Sequence, residues 1–157
     1  MEEWVFTTWA PDGSLGVVAA HRRLGRSAWY WSALVRAGEP LLHVAEWDVP
    51  RRADSPDVLK AHGLWAEHAC EAPMEQWTVA NECFAAALDD PDEALGRGFG
   101  TPTDLALDLE WYATHPPVAL ADVEGMGFRQ DGVGHGVIET AGRPLQLTEV
   151  PGRRWRR

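Results

Sequence analysis

Two glutamates and a histidine in one short segment are the side chains best suited to acid–base chemistry in this sequence. Segment 63–71 alternates apolar and polar residues, and successive side chains of a strand point to opposite faces. Glu67 and Glu71 then share a face with Trp65, whereas His68 lies on the other face. A carboxyl group in an apolar cavity has a raised pKa and can act as acid or base near neutral pH. If Trp65 points inward, both glutamates do too. If that face is outside, the glutamates are solvated and His68 is the interior group.

A further acid–base candidate is His135, which lies in the glycine-rich segment 132–138. It shares a strand face with Val133 and Val137, and this places it on the apolar side. The glycines on the other face let a backbone or an aromatic ring approach closely. An inward histidine is a candidate acid or base, and the alternative is a hydrogen-bonded core histidine.

The chain contains nine tryptophans, and several of them fall in strand-like segments. In 29–31, two indoles flank Tyr30, so either the indoles form an aromatic wall or the tyrosine hydroxyl is a donor in the interior. Aromatic walls suit flat, apolar ligands, although simple core packing gives the same pattern. The predicted ligand-binding indoles are Trp29, Trp31, Trp47, Trp65, Trp77 and Trp111, and the predicted catalytic residues are Glu67, Glu71, His135 and Tyr30.

No metal or cofactor is expected from the sequence. The histidines at 43, 62, 68 and 135 have no recognised ligand spacing. The sequence also lacks a G-x-S-x-G elbow, a phosphate-binding loop and a dinucleotide fingerprint. We therefore expect neither covalent hydrolase chemistry nor nucleotide use.

Strands separated by turn signals position these side chains. Nine or ten strand-like segments, spaced about 10–15 residues apart, predict an all-β antiparallel meander barrel or a sandwich. Segment 104–112 is the clearest, with leucines and Trp111 on one face and acids on the other. The predicted strands are 4–9, 15–22, 27–36, 41–49, 58–60, 63–71, 77–88, 104–113, 132–140 and 144–148.

Three segments differ from the simple pattern of strands joined by short turns. Segment 78–88 fits a helical stripe as well as a strand, and we prefer a strand because both flanks are strands. Asp90 is a predicted cap of a short helix over 91–95, with Pro91 at its first position. The loop 114–131 carries apolar side chains, so it is either a lid over the barrel or an ordinary surface connection.

Composition predicts one domain of an acidic protein. The chain has 157 residues and a net charge of −10, a field that repels nucleic acid and anionic membranes. The acidic start is unlike a signal peptide, no apolar stretch is long enough for a membrane span, and two cysteines make no disulfide framework. We read both cysteines as buried thiols in a cytoplasmic protein.

The barrel is expected over 1–152, followed by a basic tail, 153–157, that is solvated or pinned to acidic neighbours.

A set of short motifs carries a family resemblance. They are the run from Glu3-Trp4 to Pro11-Asp12-Gly13, Trp29-Tyr30-Trp31, Glu46-Trp47-Asp48-Val49-Pro50, the segment 63–77, Ala87-Leu88-Asp89-Asp90-Pro91, Asp108-Leu109-Glu110-Trp111 and His135-Gly136. Together they resemble the lipocalin-like superfamily of carotenoid hydratases (hydroxyneurosporene synthase) and AttH-like proteins, here as a single-barrel member.

The resemblance implies hydrophobic substrates and cofactor-free chemistry in a lipocalin-like (calycin-like) barrel. It leads us to expect a Diels–Alderase-like cyclase or isomerase acting on a polyketide- or terpenoid-like molecule. The alternatives are a non-catalytic carrier of a lipophilic ligand and a structural protein whose pocket is vestigial. Members pair two barrels in one chain, so a homodimer would rebuild that interface.

Overall fold

A computed structural model describes residues 2–121 and 127–157 of the chain. Within them the fold is all-β, as predicted, with eleven strands and one short 3₁₀ helix. The strands are β1 Glu2–Trp9, β2 Leu15–Leu24, β3 Ser27–Arg36, β4 Leu41–Pro50, β5 Val58–Ala61, β6 Leu64–Ala72, β7 Gln76–Leu88, β8 Thr101–Ala113, β9 Val118–Ala119, β10 Phe128–Thr140 and β11 Arg143–Arg156; the helix is Pro91–Leu95.

The antiparallel sheet closes into a ring. Eight strands form it in the order β1-β2-β3-β4-β7-β8-β10-β11, and β11 returns to pair with β1. The pairing of β4 with β7 covers only Leu41–His43, after which the hairpin β5–β6 lies in the wall between them. The end of β4 reaches β5 through one bridge, between Arg51 and Leu59. The barrel therefore has eight strands at its narrow end and ten around its wide end.

Alternation along the strands fills the interior. On β8, Leu105, Leu107, Leu109 and Trp111 are buried, whereas Asp104, Asp108 and Glu110 are exposed. This confirms the predicted period of two, which is the signature of a strand with one face in the core. Each leucine buried in this way stabilises the fold by about 1.5–3 kcal/mol.

Segment 78–88 is a strand, as we preferred. It belongs to β7, which pairs with β6 on one side and with β8 on the other. Val79, Asn81, Cys83 and Ala85 point inward, and Glu82 and Phe84 point outward. Pairing on both edges thus overrides the helix propensity of its alanines. The helix over 91–95 is confirmed too, and the Asp90 side chain accepts a hydrogen bond from the Asp92 amide at 3.0 Å.

The basic C-terminal segment is not a solvated tail, contrary to the boundary expected at 152. Residues 153–156 belong to β11 and pair with both β1 and β10. Arg153 and Arg156 do meet acidic neighbours, Asp131 at 2.5 Å and Glu2 at 2.9 Å. Arg154 instead lies inside the barrel with 1% of its surface exposed, because strand alternation turns every second residue inward.

The two cysteines differ in environment. Cys83 is buried, as expected, but Cys70 is exposed, so the prediction for Cys70 is wrong. Cys70 lies beside a bulge at the end of β6, where the pairing with β7 shifts register. Residues 122–126 of the predicted lid loop lie outside the described residues. In the described part of that loop, β9 pairs with the start of β10.

Among the described residues, no helix has the length and apolar character that a membrane crossing requires. The cytoplasmic location stays a prediction.

Close approach to the β10 glycines is confirmed, and it can be tested at Gly134. A Cβ atom there would lie 2.4 Å from the Thr8 Cγ2 atom, and the next nearest atom is 3.5 Å away. We expect Gly134→Ala to lower the free energy of unfolding by about 1–3 kcal/mol, as overpacking does. In a Thr8→Ser background, which removes Cγ2, the same substitution costs much less. Urea denaturation of the four proteins measures the coupling, and additive effects would contradict the packing described.

Candidate functional site

Two histidines meet inside the wide end of the barrel. His21 on β2 and His68 on β6 are both buried, and their Nδ1 atoms are 2.7 Å apart. The His68 ring also packs against Phe6 and Tyr30, with centroid distances of 5.4 and 5.8 Å. These histidines come from strands that are not neighbours in the sheet, so only closure of the barrel brings them together. We call them the histidine pair.

A second polar contact lies beside the histidine pair. Asn81 Nδ2 donates a hydrogen bond to the hydroxyl of Tyr30 at 2.6 Å, and both residues are fully buried. Among the residues that the structure describes, neither the hydroxyl of buried Ser32 nor the Oδ1 atom of Asn81 has a hydrogen-bond partner. A polar cluster of this kind is costly in an apolar core, where unpaired polar groups lose their hydration.

Burial keeps the cluster uncharged near neutral pH. Desolvation lowers the pKa of His68 to about 3, with a further lowering from nearby Arg23. The pKa of His21 lies well below its usual range, first because of burial and then because of His68, Arg23 and Arg51. Burial also raises the pKa of the Tyr30 hydroxyl, so the tyrosine stays protonated.

Neutrality fixes how protons are arranged on the histidine pair. A hydrogen bond between two Nδ1 atoms needs a hydrogen on one of them and a lone pair on the other. The ring with its hydrogen on Nδ1 has a bare Nε2 atom, and the other ring carries its hydrogen on Nε2. The tautomers are assigned here from this hydrogen bond. The pair therefore presents one acid and one base, whichever ring holds the shared proton.

A small pocket adjoins the histidine pair. Its volume is about 10 Å³, which is room for about one water molecule. The segment 51–57 between β4 and β5 contributes to its wall, so a larger ligand needs this segment to move aside. The Nε2 atom of His68 is buried, and no atom of the described part of the chain forms a hydrogen bond with it. The lining residues that matter for chemistry are His21, Arg23, Tyr30, Arg51, Glu67 and His68.

The rest of the wide end is filled by Arg154 rather than by a hollow. Its guanidinium lies 5.0–5.6 Å from the ring centroids of four aromatic residues, Trp4, Trp77, Trp111 and Phe128. Gln130 Oε1 accepts hydrogen bonds from Arg154 Nε and Nη2 at 2.9 and 2.6 Å. Burial lowers the Arg154 pKa to about 10, which still leaves it charged at neutral pH. Trp77 and Trp111 are thus interior, as predicted, but they pack around a cation.

The other four predicted ligand-binding indoles lie on the outside of the barrel. Trp29 and Trp31 point outward because Tyr30, between them, points inward. Trp29 packs edge-on against Trp47 at 4.9 Å, and Trp47 is 60% exposed. Trp65 is likewise on the outer face of β6. The predicted aromatic wall is therefore corrected, and the alternative of an inward Tyr30 holds.

Three of the four predicted catalytic residues also lie outside the interior. Glu71 is exposed and accepts a hydrogen bond from Thr78. Glu67 is on the outer side of β6 and reaches only the rim of the pocket. His135 faces outward, and its ring lies 5.6 Å from the ring of Tyr112. The interior group of β6 is His68, which was the alternative reading of that segment.

Sequence reasoning missed three interior residues: His21, Asn81 and Arg154. A signal for His21 existed, because it alternates with the buried Val17 and Ala19 on β2. Asn81 shares a face with Val79 and Cys83 in the same way. Among residues 2–121 and 127–157, no three His, Cys, Asp or Glu side chains are grouped so that they could hold a metal ion.

Neutral histidines make stability depend on pH. Their folded pKa values lie below the usual 6.5, so between that value and about 3 the unfolded chain binds more protons than the folded one. The free energy of unfolding then falls as the pH drops, by about 1.4 kcal/mol per pH unit for each neutral histidine. We expect this slope between about pH 6.5 and 5 in urea unfolding.

His68→Gln should reduce the slope, whereas exposed His62→Gln should leave it unchanged. A wild-type slope no steeper than that of His68→Gln would show that the pair takes up protons in the folded state.

Comparison of the chain with family models, with curated proteins and with solved structures gives no match. The lipocalin-like resemblance therefore stays a prediction.

Proposed function

We propose that the chain is a cofactor-independent isomerase or cyclase that acts on a hydrophobic polyketide- or terpenoid-like molecule by proton transfer at the histidine pair. The observation that carries the proposal is the 2.7 Å contact between the two buried Nδ1 atoms beside a pocket. Perturbed pKa values and buried polar groups concentrate at functional sites, because a purely structural core is better built from apolar residues.

The proton path balances within one turnover. The bare Nε2 atom takes a proton from a substrate carbon next to a carbonyl group. The proton already in the Nδ1 bond then passes to the second ring. That ring releases its own Nε2 hydrogen to another atom of the substrate, which moves a double bond or closes a ring. Both imidazoles end neutral, with their tautomers exchanged, so no oxidant or external acid is consumed.

The neighbouring groups support this chemistry. Tyr30 stays protonated and is fixed by Asn81, and it lines the same pocket as the histidine pair. Its hydroxyl is therefore available to donate a hydrogen bond to a substrate oxygen on which negative charge develops. After the segment 51–57 moves to admit it, a flexible apolar chain would be confined beside Leu59 and Ala66, which also line the pocket.

The test is proton exchange in D₂O. The wild-type protein is incubated with β,γ-unsaturated ketones of terpenoid size, and ¹H NMR follows loss of the α-proton and movement of the double bond. We expect His21→Asn, His68→Asn and the double variant each to lose at least about 100-fold in rate, because the two rings act as a unit. His135→Asn on the outer face is the matched control and should keep the wild-type rate.

A non-catalytic role is the second candidate, and the packed interior favours it. Arg154 fills the space between the inward indoles, and the pocket at the histidine pair has room for about one water molecule. A protein of that kind would show no exchange with any ketone. Quenching of tryptophan fluorescence by the same ketones would then identify a carrier, and its absence a structural protein.

A further inference from the structure

Two arginines, Arg23 and Arg51, line the pocket together with Asp57. We call these three residues the mouth of the pocket. Arg23 is at the end of β2, and Arg51 directly follows β4. Both line the pocket together with the histidine pair. Asp57 and Glu67 line it as well, so the formal charges of the lining, two positive and two negative, sum to zero.

The two arginines have different partners. Arg23 binds Asp57 Oδ1 through Nη2 at 2.9 Å and Glu2 Oε2 through Nη1 at 3.4 Å, so both of its terminal nitrogens already meet a carboxylate. Arg51 donates from Nη1 to the carbonyl oxygen of Gly25 at 2.8 Å. Within the described ranges, no carboxylate lies within ion-pair distance of Arg51. A guanidinium that is half-buried and meets only a carbonyl leaves charge available for an anion.

Each of the two arginines that line the pocket has one further donor, its Nε atom. Both Nε atoms are buried, and neither has a hydrogen-bond partner among residues 2–121 and 127–157. Guanidinium Nε always carries a hydrogen and never accepts, so each of these atoms needs an acceptor. One water molecule offers two lone pairs but no charge. A carboxylate offers two charged oxygens, which suit two guanidinium groups better.

We propose that the substrate of the histidine pair carries a carboxylate, and that Arg51 and Arg23 bind it at the mouth. This inference deepens the function proposed above and rests on it for the reaction, but not for the binding. The pocket holds about one water molecule as it stands, so its wall must yield before the apolar part of the molecule lies against Leu59 and Ala66 beside the two imidazoles. Arg51 is the lining arginine without an ion pair among the described residues, and its charge matches one carboxylate, so the ligand is a lipophilic monocarboxylic acid.

The test compares an acid with its ester. Isothermal titration calorimetry measures decanoate and methyl decanoate on the wild-type protein, on Arg51→Gln and on Arg52→Gln, whose side chain is exposed and outside the pocket. We expect methyl decanoate to bind at least about tenfold more weakly than decanoate, and Arg51→Gln to weaken decanoate by a similar factor. Arg52→Gln should bind decanoate as the wild type does.

Histidine ¹⁵N NMR locates the bound acid. Decanoate should shift the Nε2 resonance of His68, and methyl decanoate at the same concentration should not. Equal affinity for acid and ester, unchanged binding by Arg51→Gln, or no decanoate binding up to about 1 mM overturns the inference. The acid–ester comparison needs only the wild-type protein, so it stands even where Arg51→Gln does not fold.

The two proposals fail in different ways. Arg51-dependent decanoate binding without proton exchange would overturn the reaction and keep the carboxylate site. Exchange that runs equally fast on ketones with and without a carboxylate, and that survives Arg51→Gln, would overturn the carboxylate site and keep the reaction.

Discussion

Closure of the ring between β1 and β11 is the constraint on which the rest of the structure depends. Once the last strand lies beside the first, each inner-face residue is surrounded by side chains from the opposite wall. Arg154 is the clearest consequence, since its partners come from β1, β7, β8 and β10. The histidine pair depends on the same closure, because β2 and β6 are not adjacent in the sheet. Local sequence determines which face a residue occupies, and closure determines its neighbours.

The sequence predicted the elements of the fold much better than the site. Strand bounds over 27–36 agree with β3, and the short helix agrees at both ends, because turn residues and caps are local signals. The faces of β3 and β6 were left open, since Tyr30 and the indoles beside it are both plausible core residues. The curvature of the sheet decides between them. Alternation with buried alanines and valines could have placed His21 and Asn81 on the inner faces of β2 and β7, but it could not identify their partners across the barrel.

The basic segment at the end of β11 also shows that the local sequence does not determine which residues surround a side chain. Four arginines within residues 153–157 resemble a solvated segment by composition. Three of the four do meet acids, namely Asp131, Glu2 and, at 4.0 Å, the buried Glu3. Arg154 is the exception, because strand alternation points its side chain inward and other strands surround it with aromatic rings. Four rings around one guanidinium compensate part of the cost of burying its charge, and Gln130 satisfies two of its donors. An interior charge of this kind is the reason why the barrel is not an empty container.

The hairpin β5–β6 has one further consequence for motion. β6 is held along β7, whereas β5 has a partner on only one edge and touches β4 through the single Arg51–Leu59 bridge. β5 is therefore the most weakly held strand of this part of the wall, whereas β6 stays paired with β7 and carries His68. Release of β5 alone costs less free energy than global unfolding. The molecule thus combines a rigid ring with one loosely held strand, and Leu59 of that strand lines the pocket beside the imidazoles.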